Sequence, residues 1–112
     1  MGKIRVGING FGTIGKRCAF GVSLQKDMKL VGVSNRSVNI NVRGMLSEHG
    51  QLYKTPLYSS DPKNVKIMES TGFKVAGSLE DLLKNVDVII DGTPAGIEAQ
   101  NKPLYEKYNL KQ

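Results

Sequence analysis

Val6-Gly7-Ile8-Asn9-Gly10-Phe11-Gly12-Thr13-Ile14-Gly15-Lys16-Arg17 decides the fold, because it reads as a buried strand running into a glycine turn that opens a helix. Gly10 permits the tight turn, Gly12 lets backbone come close to a phosphate, and Gly15 lets the helix pack against the strand. Amide N–H groups at the start of that helix would face an anion, helped by the helix dipole. The spacing alone is weak evidence, since thirteen glycines in 112 residues produce such patterns by chance. The flanking sequence strengthens it.

Ile4 to Asn9 is short, apolar and β-branched, as a parallel strand covered on both faces should be. The stretch Thr13 to Lys26 predicts a helix whose Ile14, Cys18 and Val22 form one stripe on the sheet. Lys29 to Ser34 reads as a second strand, completing the strand–helix–strand unit of a dinucleotide site. Farther on, Val38 to Glu48 reads as a weak helix, ended by His49-Gly50, and Leu52 to Tyr58 as an edge strand tolerating Pro56. Asp61-Pro62 opens a helix to Ser70, Phe73 to Ala76 is a short strand, and Ser78 to Asp81 resembles a capping box for a helix to Asn85. Val86 to Asp91 is a strong strand that belongs beside the first, and Gly96 to Tyr108 a last helix disturbed near Pro103. The fold class is α/β, a Rossmann-type doubly wound parallel sheet, incomplete at the C-terminus.

Asn9-Gly10-Phe11-Gly12 followed by Ile14-Gly15 and a basic residue resembles the opening of glyceraldehyde-3-phosphate dehydrogenase. Thr13 and the run Ile14-Gly15-Lys16-Arg17 resemble the archaeal type, the bacterial and eukaryotic type usually having arginine in place of Thr13. The likeness extends through Met28 to Val33 and into Asp91-Gly92-Thr93-Pro94, and is loose between about Ser37 and Phe73. It implies that residues 1–112 are an NAD(P)-binding domain, truncated, with the substrate domain absent. It also implies a phosphorylating NAD(P)-dependent aldehyde oxidoreductase of glycolysis and gluconeogenesis, tetrameric at full length. A stand-alone NAD(P)-binding or sensing module without catalysis is the alternative.

The end of the second strand, Ser34-Asn35-Arg36-Ser37, has no carboxylate to accept the adenosine ribose hydroxyls. Arg36 can instead pair with the 2′-phosphate of NADP, and the Ser34 and Ser37 hydroxyls can donate to it. NADP is therefore the expected cofactor, with NAD still admitted. In the resembling family the loop Asp91 to Pro94 lines the cofactor beyond the pyrophosphate, which makes Thr93 and Pro94 candidate contacts. The expected binding set is thus Asn9, Gly10, Gly12, Thr13, Ile14, Gly15, Ser34 to Ser37, Thr93 and Pro94.

Candidates for chemistry are few. The family's nucleophile is a cysteine thiolate that attacks the aldehyde, but Cys18 lies on the stripe of the first helix, where a buried thiol is inert. It does not match the family's Cys-Asn-Thr-Thr type motif, and His49 reads as a loop residue at a helix end. No catalytic residue is expected, so the fragment should be inactive alone. One His and one Cys support no zinc site, and one Cys no internal disulfide. Sixteen Lys and Arg against ten Asp and Glu give a net charge of +6, favouring anionic partners, but no basic tract points to nucleic acid. The sequence contains no apolar run of membrane-spanning length, Met1 to Arg5 is expected to lead directly into a strand rather than a signal peptide, and the expected compartment is the cytoplasm.

Overall fold

A computed structural model describes residues 3–48, 50–93, 97–108 and 110. The elements are β1 (Ile4–Asn9), α1 (Thr13–Ser23), β2 (Met28–Asn35), α2 (Ile40–Leu46), β3 (Leu57–Ser59), a 3-10 turn (Pro62–Asn64), α3 (Val65–Glu69), β4 (Val75–Ser78), α4 (Leu79–Leu83), β5 (Val88–Asp91) and α5 (Ile97–Lys107). The five strands form one sheet in the order β4-β3-β2-β1-β5, and every pairing is parallel. The chain therefore winds outward from β1 through β4 and returns to the far side of β1. That reversal makes a topological switch point between β1 and β5, the place where α/β sheets of the Rossmann type bind ligands.

The period-two alternation of the strands divides the core into two clusters. Val6, Ile8, Val33 and Leu57 belong to a cluster with Ala19 and Val22 of α1, Val42 and Leu46 of α2 and Met68 of α3. Ile89 belongs to the other, with Leu79, Leu82 and Leu83 of α4 and Tyr105 of α5. Gly7 and Gly32 pair in register, and a Cβ on either would stand 3.1–3.3 Å from a Leu82 side-chain atom. The missing side chains make the hollow into which α4 packs its leucine.

Several expectations from the sequence change here. The buried stripe of α1 is Gly15, Ala19 and Val22, whereas Ile14 is 69% exposed and Cys18 is only partly buried against the core. Gly15 is the reason, since it presses directly on the turn after β1 and so turns Ile14 outward. The strand expected over Leu52 to Tyr58 is only Leu57–Ser59, and it lies inside the sheet between β2 and β4. Pro56 does not donate, but its carbonyl accepts from Val33 N at 3.0 Å, and the turns before it bury Leu52 as a core plug. The short strand begins at Val75 rather than Phe73. Asp81 accepts from the Ser78 backbone N–H at 2.9 Å, as a capping residue should, and this hydrogen bond is the first cause holding its carboxyl below the ordinary value. At the opposite end of the sheet, hydrogen bonds from Arg5 hold the Asp87 carboxyl down at about 2.

The tightest constraint is at Gly15, where an added Cβ would sit 1.9 Å from the Gly10 carbonyl oxygen. Gly15→Ala must push α1 away from β1, and is expected to cost about 1–3 kcal/mol or more in urea denaturation. Wild-type stability in that variant would contradict the packing described.

Candidate functional site

The carboxyl ends of β1, β2, β3 and β5 open into one cleft of about 1250 Å³, whose lining includes Gly10, Gly12, Arg36, Ser60, Gly92 and Thr93. Its floor is set by Gly10 and Gly92, packed on Gly15 beneath them. Gly10 turns the chain at φ 93°, and a Cβ there would meet Thr93 N at 2.8 Å. A Cβ on Gly92 would stand 3.0 Å from both the Gly10 carbonyl and the Gly15 Cα, so backbone rests on backbone throughout. Gly92 N donates to the Asn9 carbonyl at 2.7 Å, locking the end of β5 to the end of β1.

Gly12 differs from these neighbours. Among the described residues a Cβ there would meet nothing within 4 Å, so their packing does not demand a glycine, and its open side adjoins the cleft. Gly12 is also the N-cap of α1 and has no side chain to cap with, and no acidic residue occupies the first turn. The leading amides of a helix have no intrahelical carbonyl to bond. At α1 they are left to whatever anion enters the cleft.

The loop itself is pinned by two asparagines. Asn35 Oδ1 accepts from Phe11 N at 3.0 Å, while its Nδ2 donates to the Ser37 carbonyl at 2.8 Å. Asn39 Nδ2 donates to the Phe11 carbonyl at 3.2 Å, and its Oδ1 caps α2 by accepting from Val42 N at 2.9 Å. The Phe11 ring, fully buried, anchors the loop from below.

Behind the cleft a buried polar chain joins three strands. Ser34, Asn9 and Asp91 are paired in register across β2, β1 and β5. Ser34 Oγ donates to Asn9 Oδ1 at 2.9 Å, Asn9 Nδ2 to the Tyr105 hydroxyl at 2.7 Å, and that hydroxyl to Asp91 Oδ2 at 2.5 Å. Asp91 Oδ2 also accepts from Asn101 Nδ2 at 3.2 Å. Its Oδ1 accepts from Thr93 N at 2.8 Å and from the Thr93 hydroxyl. Burial pushes the Asp91 carboxyl up, but the donors from Thr93, Tyr105 and Asn101 outweigh it and leave it below the ordinary value. It is held as a carboxylate.

The cleft thus brings together Asn9, Gly10, Gly12, Thr13, Ile14, Asn35, Arg36, Ser37 and Thr93 from the residues expected in the sequence. Gly15 lies just under it as packing. Ser34 is a correction: it is fully buried and its hydroxyl donates to Asn9, so it does not reach a phosphate in the cleft. Pro94 and His49 lie outside the described residues. Arg36 is exposed on the cleft wall and makes no ion pair among the described residues. Sequence reasoning missed Asp91, Asn101 and Tyr105 as a group, and Asn39 as a brace. The clue lay in spacing on α5, where Asn101 and Tyr105 stand four apart on one face, but nothing in the sequence tied that face to Asp91.

No described residues form a cluster of metal-ligating type, and no described helix is long and apolar enough to cross a membrane. No protein-family model matches the chain. Individual relatives do. The chain is 48% identical to a glyceraldehyde-3-phosphate dehydrogenase of Thermococcus kodakarensis over 97% of its length. It is 44% identical to one from Aeropyrum pernix over its whole length, and 41% identical to one from Sulfolobus acidocaldarius over 99%. In each case the chain spans only 31% of the relative's length.

The double duty of Asn39 gives a graded test. Asn39→Asp keeps a cap for α2 but loses the donor to the Phe11 carbonyl, whereas Asn39→Ala loses both. Urea denaturation should place Asn39→Ala about 1–2 kcal/mol below wild type, with Asn39→Asp between them. Equal stability of all three would refute the brace.

Proposed function

We propose that the chain is the N-terminal, dinucleotide-binding part of an archaeal-type glyceraldehyde-3-phosphate dehydrogenase, with the following pose and role. The dinucleotide's pyrophosphate rests on the uncapped start of α1, over Gly12 and the amides of Thr13 and Ile14. Its adenosine lies toward β2, where Arg36 and Ser37 face its ribose. The second nucleoside runs across β1 toward Gly92 and Thr93. The observation that carries this reading is Gly12, with an open side on the cleft and no packing among the described residues that requires it to be glycine.

Cofactor preference follows from charge at the end of β2. A carboxylate there would accept ribose hydroxyls and repel a 2′-phosphate, and this chain has Asn35 and Arg36 instead. The Asn35 amide is already used by Phe11 and Ser37, which leaves Arg36, whose guanidinium has no ion-pair partner among the described residues, as the group that meets the phosphate. NADP is favoured and NAD is admitted.

The whole enzyme would oxidise glyceraldehyde 3-phosphate with NADP or NAD and inorganic phosphate to the acyl phosphate. The nicotinamide supplies the hydride acceptor, and the present residues hold and orient it. The thiolate for such a reaction would come from a substrate domain, because Cys18 packs against the core at α1, below the cleft. The setting proposed for the enzyme is the cytoplasm, and its assembly a homotetramer.

Titration of NADP and NAD against three forms of the chain tests the proposal. The unaltered chain should bind NADP about tenfold or more tightly than NAD, the worth of a charge-assisted pair. Arg36→Asp should reverse that order. Gly12→Val should bind neither while keeping the circular dichroism of the parent, since a Cβ there meets only the cleft. Unchanged affinities in both variants would place the cofactor elsewhere.

A further inference from the structure

We propose that Asp91 is a positioning residue for the second nucleoside of the dinucleotide, its carboxylate orienting Thr93 and the Asn101 amide on the cleft wall beyond β1. The inference rests on the dinucleotide reading of the cleft and adds the residues that receive its far half.

From Ser34 to Asp91 the hydrogen bonds run in one direction. Ser34 donates to Asn9, Asn9 to Tyr105, and Tyr105 to Asp91. Thr93 and Asn101 donate to the same carboxylate from the cleft side. Four donor groups converge on two oxygens, which fits an acceptor without a proton and no other side-chain type of that shape. Asn9, Ser34 and Tyr105 are at most 1% exposed, so this chain is sealed from water and fixed by the sheet register behind it.

Two groups carry the order of that chain into the cleft. Both Thr93 and Asn101 line it. Thr93 has its amide and hydroxyl protons committed to Asp91, so its hydroxyl oxygen offers lone pairs. Asn101 has one N–H committed, so its amide retains a second N–H and a carbonyl oxygen. A fixed acceptor, donor and acceptor suit the vicinal hydroxyls of a ribose. They stand on the β5 side of β1, whereas Arg36 and Ser37 stand on the β2 side. The two halves of a dinucleotide lie on opposite sides of such a switch point, so the ribose received here is the one bearing nicotinamide.

NAD and ADP share adenosine and pyrophosphate and differ in the nicotinamide riboside, so their affinities separate positioning from general damage. Tyr105→Phe removes only the hydroxyl behind Asp91. Asn101→Ala removes the amide at the cleft and leaves the buried chain intact. Isothermal titration of the 112-residue chain should show NAD affinity falling about fivefold or more in both variants, with ADP affinity within twofold of the parent. A merely structural role would lower both ligands together or neither. Equal loss of NAD and ADP, or unchanged NAD affinity in either variant, overturns the assignment. Failure of the unaltered chain to bind ADP or NAD would contradict the dinucleotide reading itself and remove the basis of this inference.

Discussion

The site depends on a place where side chains are excluded. At Gly10, Gly15 and Gly92 the turn after β1, the start of α1 and the end of β5 touch through backbone atoms, and a Cβ on Gly15 would lie 1.9 Å from the Gly10 carbonyl. This contact brings the N-terminus of α1 over the carboxyl end of the central strand. It also fixes the rotation of the helix, putting Ala19 and Val22 in the core and Ile14 in solvent. The hollow at Gly7 and Gly32 does the corresponding work for α4 on the other face.

Polar groups complete what the glycines begin. The β1–α1 loop would present a string of free amides and carbonyls, but Gly10 N is taken by the Ser34 carbonyl and both polar groups of Phe11 are taken by Asn35 and Asn39. Only the amides from Gly12 into α1 stay available to a ligand. The division is sharp, with one residue buried and braced and the next open to the cleft. Across β1, the Asp91 carboxylate gathers donors from Thr93 just beyond its own strand and from Asn101 and Tyr105 of α5, and loss of the Tyr105 hydroxyl would leave the buried Asn9 amide without its acceptor, at a cost of about 1–3 kcal/mol.

Much of the architecture is legible in local sequence. β1 spans the residues that its apolar, β-branched run indicates, α1 begins at Thr13, and Val88–Asp91 lies beside β1 as its composition implies. The readings that fail are those that needed tertiary information. Periodicity selected Ile14 for the core because it cannot register that Gly15, a residue with no side chain, is the point of closest approach. Leu52 looked like strand because it is apolar and near Leu57, yet it is buried from a turn, with Lys54 at φ 76° just beyond. The cleft residues of the glycine motif were visible as a spacing. Asn9, Asp91 and Tyr105 were not visible as a group, since Tyr105 is 96 residues from Asn9 and its hydroxyl is placed only when α5 packs on the sheet. Ser34 was misplaced for a related reason: the register that pairs it with Asn9 turns its hydroxyl inward.

The central claim is that the start of α1 holds the pyrophosphate while the braced loop before it does not change. Amide chemical-shift mapping of the isotopically labelled chain on addition of NADP tests it most directly. The largest shifts should fall on Gly12, Thr13 and Ile14, with Gly10 and Phe11, whose amides are already bonded within the protein, moving less. Shifts centred instead on the second hollow, at the opposite side of β3 around Lys54, Thr55 and Lys74, would contradict it.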